Sequence, residues 1–237
     1  DPKEIYTLYD YTKDFEKVYR QLSERNVLPV LTGGTGLYIE AVLKDYDIQS
    51  VPEDPQLRER LTKNDKEFLI GQLKDIDPEI YRRTDCSSKK RVIRALEIAF
   101  FKRENPGISL EEKRLLQLNP CVLCVKWDRA ELRERIDNRL EQRLKQGMVE
   151  EVKRLLASGI AEDRFALFGM EYKYVARYVK KQVLYKTMVK ELQTSIHQLA
   201  KRQETWFRGM ERRGIEVHWV RNADFQEAIA VADRCFG

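Results

Sequence analysis

Histidine is nearly missing from this 237-residue chain: His197 and His218 are the only two. Neither has a cysteine or carboxylate cluster beside it in sequence, so neither points to a catalytic triad or a metal centre. Cysteine is scarce as well, limited to Cys86, Cys121, Cys124 and Cys235. Cys121 and Cys124 have a C-x-x-C spacing, but no second pair or histidine stands at a zinc-ligand spacing, so no residue is nominated as a metal ligand. The expected state is reduced, buried thiols in a cytoplasmic protein. No run of about 18 apolar residues occurs, and a membrane-spanning helix is not expected. Internal repeats and low-complexity tracts are also lacking, which argues against a solenoid. An excess of one charge is missing too: 44 Lys and Arg face 39 Asp and Glu, for a net +5. That balance excludes a uniformly basic protein and leaves room for a local basic patch, whose density governs phosphate binding more than the net figure does.

What is there is a rather helical, globular composition, 42% apolar and 35% charged. The length suffices for one sizeable domain or two modest ones. Between Tyr11 and Arg25, Phe15, Val18, Tyr19 and Leu22 recur at the spacing of an amphipathic helix. Val27–Thr32 is a short apolar run that reads as a strand, followed by Gly33-Gly34-Thr35-Gly36 and a helix from Leu37 to about Leu43. Strand, glycine turn and helix make an α/β unit whose turn lies where open α/β sheets hold ligands. Residues 45–55 carry Pro52 and Pro55 and read as a linker. From 56 to about 118 only helices are expected. Ser88 stands ready to cap one whose stripe is Val92, Ala95, Leu96 and Ala99, and Ser109 with Glu112 has the form of a capping box. Cys121–Trp127 returns to strand character. A long helix follows from Ala130, punctuated by Gly147 and Gly159, then a second from about 183 to 213, a strand over Ile215–Val220 and a final helix. The expected organisation is an α/β core in two parts, 1–49 and 119–237, with a helical insertion over 50–118.

Four constellations could carry chemistry. The glycine turn lets backbone amides approach a ligand closely, with Thr35 offering a hydroxyl at a helix N-terminus; it equally suits a tight turn needing positive φ. Lys89, Lys90, Arg91 and Arg94 cluster on one helix, where like charges repel unless an anion meets them; a solvated face is the plainer alternative. Arg135, Arg139 and Arg143 line one helical face, with Glu134, Asp137 and Glu141 near enough to neutralise them. Lys201, Arg202, Trp206 and Arg208 interleave cations with an aromatic, as single-stranded nucleic acid binders do, although Trp206 falls on an apolar stripe and reads as core.

Taken in order, these pieces resemble the tRNA dimethylallyltransferase family. The resemblance is carried by Leu31-Thr-Gly-Gly-Thr-Gly-Leu-Tyr38, Arg91-Val-Ile-Arg-Ala-Leu-Glu97, Arg135-Ile-Asp-Asn-Arg139 and Ala200-Lys-Arg-Gln-Glu-Thr-Trp-Phe-Arg208, and spans almost the whole chain. It implies a P-loop NTPase-like parallel-sheet core with an all-helical insertion that grips a tRNA anticodon stem-loop. It also implies transfer of a dimethylallyl group from dimethylallyl diphosphate to N6 of an unstacked adenosine beside the anticodon, with Mg2+ accompanying the diphosphate. By the same resemblance Gly33, Gly34 and Thr35 meet the target adenosine, and Arg58, Lys90, Arg91, Arg94, Lys173, Lys201 and Arg202 contact tRNA. Arg139 serves the diphosphate, and with Thr35 it forms the catalytic pair; a monomer is expected.

The departures from the family pattern bear on activity. The 237 residues contain no Gly-x-x-x-x-Gly-Lys-Ser/Thr and no Asp-Ser motif to supply the family's general base. The chain opens at Asp1, and the reading expects a further segment upstream. Ser87-Ser88 replaces an Asn-Asp, and Glu171-Tyr-Lys-Tyr174 replaces a Gly-Tyr-Lys-Glu, which puts the contact by Lys173 in question. The 237 residues alone are therefore expected to bind RNA without catalysing transfer. A non-catalytic RNA-binding relative is the alternative, and a relative that prenylates a free adenine nucleotide ranks third, because it has no need of the insertion.

Overall fold

The computed structural model describes residues 4, 6–44, 51–107, 116 and 118–237. In chain order the elements are α1 (Leu8–Glu24), α2 (Gly36–Leu43), α3 (Pro55–Thr62), α4 (Lys66–Ile76), α5 (Pro78–Arg83), α6 (Lys89–Glu104), β1 (Leu123–Lys126), α7 (Arg129–Lys145), α8 (Met148–Ala157), α9 (Phe165–Phe168), α10 (Met170–Val179), α11 (Tyr185–Arg212), β2 (His218–Arg221) and α12 (Phe225–Phe236). The chain divides into two compact units. A core unit gathers Asp1–Tyr6, Leu22–Leu43 and Leu118–Gly237; a helical unit gathers Thr7–Gln21 and Lys44–Gln117.

In the helical unit, aspartates and prolines set the boundaries. Asp54 accepts from Leu57 N at 2.9 Å and Pro55 opens α3. Asp77 ends α4 and caps α5 by accepting from Glu79 N at 3.0 Å and Ile80 N at 2.9 Å, with Pro78 at the first helical position, where its missing N–H costs nothing. The stripe Val92, Ala95, Leu96 and Ala99 of α6 buries against Leu61, Leu69 and Leu73. Ser88 occupies the cap position of α6, but its hydroxyl makes no capping hydrogen bond.

In the core unit, β1 pairs with β2 in parallel, Leu123 opposite His218 and Val125 opposite Val220. A parallel pair needs a crossover, and α7 to α11 supply it. Asp128 caps α7 through Ala130 N at 2.8 Å. The left-handed Gly147, at φ 96°, separates α7 from α8. Leu140, Met148, Val152, Phe165, Val175, Met188 and Leu192 form one buried cluster across α7–α11.

Several expectations are corrected. Val27–Thr32 is not a strand: it has no ladder partner among the described residues, and Leu28 and Val30 are 60% and 78% exposed. Trp206 is not core but 37% exposed. The helices α9 and α10 were not foreseen, because aromatic and charged residues hide their periodicity. Cys121 and Cys235 are paired as a disulfide with Cα atoms 5.9 Å apart, not reduced thiols. The packing of α12 on β2, beside β1, brings together cysteines 114 positions apart. Cys86 and Cys124 are free. The capping box Ser109–Glu112 and the first half of the 45–55 linker lie outside the described residues.

Candidate functional site

The glycine turn is shaped by α11. Thr35 O accepts from Tyr38 N at 3.0 Å and Ile39 N at 3.2 Å, which makes Thr35 the cap residue of α2 and leaves its side chain exposed. None of Gly33, Gly34 and Gly36 has positive φ, so a strained turn is not why glycine is there. Close approach is. Gln203 Nε2 donates to Gly34 O at 2.9 Å, and a Cβ on Gly34 would stand 2.5 Å from that nitrogen. A Cβ on Gly36 would stand 2.2 Å from Trp206 Cδ1. A Cβ on Gly33 would meet nothing within 4 Å, and the residue is exposed.

Lys201, Arg202, Trp206 and Arg212 line an open groove of about 610 Å³ along α11. Cations beside a half-exposed indole suit a phosphate backbone with a stacking base. The structure therefore brings Gly33, Gly34 and Thr35 to the same helix that carries Lys201 and Arg202.

On α7 the three arginines part company. Arg135 stacks on Trp127, with its guanidinium carbon 3.9 Å from the ring centroid. Arg143 lies 3.8 Å from Glu151. Two of the expected neutralisers are taken elsewhere, Asp137 by His197 at 2.8 Å and Glu141 by Lys145 at 2.5 Å. Arg139 is exposed and makes no ion pair among the described residues, so its planar fork of donors is available to an anion.

The basic cluster of the helical unit also splits. Glu97, 2% exposed, receives Arg58 through two bonds of 2.8 and 2.7 Å and Arg94 at 3.1 Å, while Arg94 also donates to Val51 O at 2.7 Å. Burial by itself would raise the Glu97 carboxyl, but Arg58, the Asp54 N–H and Arg94 outweigh it and hold the group below the usual glutamate range. Arg58, whose own pKa is raised first by the Glu97 hydrogen bond, also meets Glu53 at 2.6 Å. Arg58 and Arg94 are thus committed to an internal network. Arg91 is exposed and paired with Asp85, and Lys90 is exposed with no ion pair among the described residues. Lys173 is exposed on α10.

Sequence reasoning missed Gln203, the buried Glu97 and the meeting of the Cys121–Cys235 disulfide with His218, whose Nε2 lies 3.8 Å from Cys235 Sγ. The i, i+3 spacing of Gln203 and Trp206 was a readable signal for the first, and an acid inside the α6 stripe for the second. Nothing in sequence joins the third, whose members stand on separate elements.

A glycine turn feeding a short helix, a cationic groove with an aromatic, a parallel α/β core and a separate helical unit define a class: an α/β protein equipped for an anionic, base-bearing ligand. The comparisons narrow it. The IPP transferase family model matches residues 1–210, and the chain belongs to that family. A tRNA dimethylallyltransferase 2 of Bacteroides fragilis is 46% identical over 220 residues, covering 93% of this chain and 71% of its own length. A tRNA dimethylallyltransferase 1 of Porphyromonas gingivalis is 44% identical over 215 residues, covering 91% and 70%. The crystal structure of a full-length tRNA isopentenylpyrophosphate transferase from Bacillus halodurans matches 99% of this chain and 73% of its own, with a TM-score of 0.62 at 27% identity. A eukaryotic dimethylallyltransferase acting on tRNA shares the fold, with a TM-score of 0.71 over 99% of this chain and 61% of its own, at 17% identity.

Proposed function

We propose that this chain belongs to an enzyme that transfers a dimethylallyl group from dimethylallyl diphosphate to N6 of an adenosine beside the anticodon of tRNA. The observation that carries the reading is the Gly33–Gly36 turn seated on α11, next to the groove of Lys201, Arg202 and Trp206. Adenine N6 attacks C1 of the allyl group as the C1–O bond breaks, the N6 proton passes to a base, and the diphosphate leaves with its bonding electrons. Gly33, Gly34 and Thr35 hold the adenosine edge, and Arg139 stabilises charge on the leaving diphosphate. Lys90 and Arg91 meet RNA phosphates, joined by Lys173, Lys201 and Arg202; Arg58 and Arg94 act there by bracing α6.

Mg2+ prefers oxygen ligands in octahedral array. It keeps several waters and is held through substrate phosphates with one or two carboxylates, so in this reading it arrives with the diphosphate; the Cys121–Cys235 disulfide beside His218 offers it no oxygen ligand. No helix among the described residues is long and apolar enough to cross a membrane. A cytoplasmic monomer completes the reading.

The 237 residues carry neither a Gly-x-x-x-x-Gly-Lys-Ser/Thr cradle nor an Asp-Ser base. On their own they bind the stem-loop without transferring the prenyl group. The test is dimethylallyl transfer to an anticodon stem-loop RNA by this chain and by a chain of the relatives' full length. Transfer by the longer chain alone is the expected result. Transfer by the 237 residues overturns the claim about them, and transfer by neither, with binding kept, moves the reading to a non-catalytic RNA binder.

A further inference from the structure

We propose that Glu40 and Arg213 are positioning residues, a clamp that fixes the register of the Gly33–Gly36 turn on α11. Only the kinetic consequence given below rests on the transferase reading. Glu40 stands on α2, four residues past Gly36, and is 0% exposed. Arg213, the residue that ends α11, reaches it with both arms: Nε lies 2.5 Å from Oε1 and Nη2 2.6 Å from Oε2. The same guanidinium sits 5.6 Å from the centroid of Trp206, the ring that closes on Gly36. Room for this fold-back comes from Gly209, where a Cβ would stand 2.8 Å from Arg213 Nη1.

Two attachments therefore hold α2 and the turn before it: Gln203 and Trp206 on the glycines, and Arg213 on Glu40 one helical turn later. An eight-residue helix is too short to persist alone, so its placement is borrowed from α11. A buried ion pair is weak evidence for stability, because well-packed apolar residues could fill the same space at least as favourably. A fork on a carboxylate does something an apolar contact cannot: it sets both distance and rotation. At this place rotation of α2 would turn Thr35 and the backbone of Gly33 away from their ligand. Glu40 is fully buried and acts through the turn, whereas Arg213 also borders the groove of Lys201, Arg202 and Trp206, so the kinetic test falls on Glu40.

The experiment is hydrogen–deuterium exchange on the wild-type chain, Glu40→Gln and Arg213→Lys, following the Tyr38 and Ile39 amides that bond to Thr35 O. Expected is exchange at these amides faster by about tenfold or more in Glu40→Gln, with the α7–α10 cluster unchanged. Arg213→Lys, which keeps the charge but not the fork, gives an intermediate increase. It also serves where Glu40→Gln fails to fold, since Arg213 is 43% exposed in its side chain. In the full-length chain, Glu40→Gln lowers kcat on the stem-loop about tenfold while KM changes less than about twofold, because the misplaced turn affects the reacting geometry and not the RNA grip. Unchanged exchange at Tyr38 and Ile39 overturns the proposal, as does a rise spread evenly over the core unit. A wild-type chain without transfer activity would sink the functional reading and leave the exchange result to decide the clamp.

Discussion

At the scale of single residues, environment rather than identity decides what each group can do. Cys124 is pushed up to about 11, first by burial and then by the carboxylates of Glu211 and Glu204. An ordinary thiol titrates near about 8.5, so at pH 8 Cys124 holds on the order of a hundredfold less thiolate. Iodoacetamide at pH 8 should therefore label Cys124 far more slowly in the folded chain than in urea, read by mass spectrometry; equal rates would contradict the burial described. Gly36 makes the complementary point. Its role comes from contact with Trp206 and not from φ, so Gly36→Ala must displace a rigid ring. A loss of about 1–3 kcal/mol in urea unfolding is expected, as for other overpacked sites, while Gly33→Ala, with open space, costs less.

At the scale of elements, α6 shows how far a pattern carries. Its stripe of Val92, Ala95, Leu96 and Ala99 was legible, because burial on one face repeats at the helical spacing. The fate of its charges was not, since Glu97 is satisfied by Arg58 and Asp54, about forty positions earlier. Removing that acceptor strands two guanidinium groups that are about a third exposed, so Glu97→Ala should destabilise the helical unit by on the order of 2 kcal/mol after allowance for solvent screening. The pH dependence has a definite sign. The folded carboxyl lies below its unfolded value of about 4.3, so its contribution is complete above that value and fades as pH falls through the lower folded one. Acid unfolding monitored between pH 5 and 2 should be less steep in Glu97→Gln than in the wild type; identical profiles would contradict the network. Val27–Thr32 is the reverse case: its composition reads as strand, but strand formation needs a partner, and none exists among the described residues.

At the scale of the whole molecule, the turn, the α7 arginines and the α11 run were readable because each is a short motif whose spacing alone places it on one element. What joins elements was not: the seat of the glycine turn on Gln203 and Trp206, the Glu40–Arg213 pair and the Cys121–Cys235 link all span more than a hundred positions. Such contacts follow from the fold and leave no local trace. RNA binding, by contrast, should be spread over separable cations, because phosphate contacts each release a counterion. The most direct measurement is the affinity of this chain for an anticodon stem-loop across a salt series, with Lys90→Ala, Arg91→Ala and Arg202→Ala alongside. Expected is salt-sensitive binding in the wild type, with each substitution weakening it and lowering the logarithmic salt slope by about 1. No binding at low salt, or slopes that none of the three substitutions changes, would contradict the account.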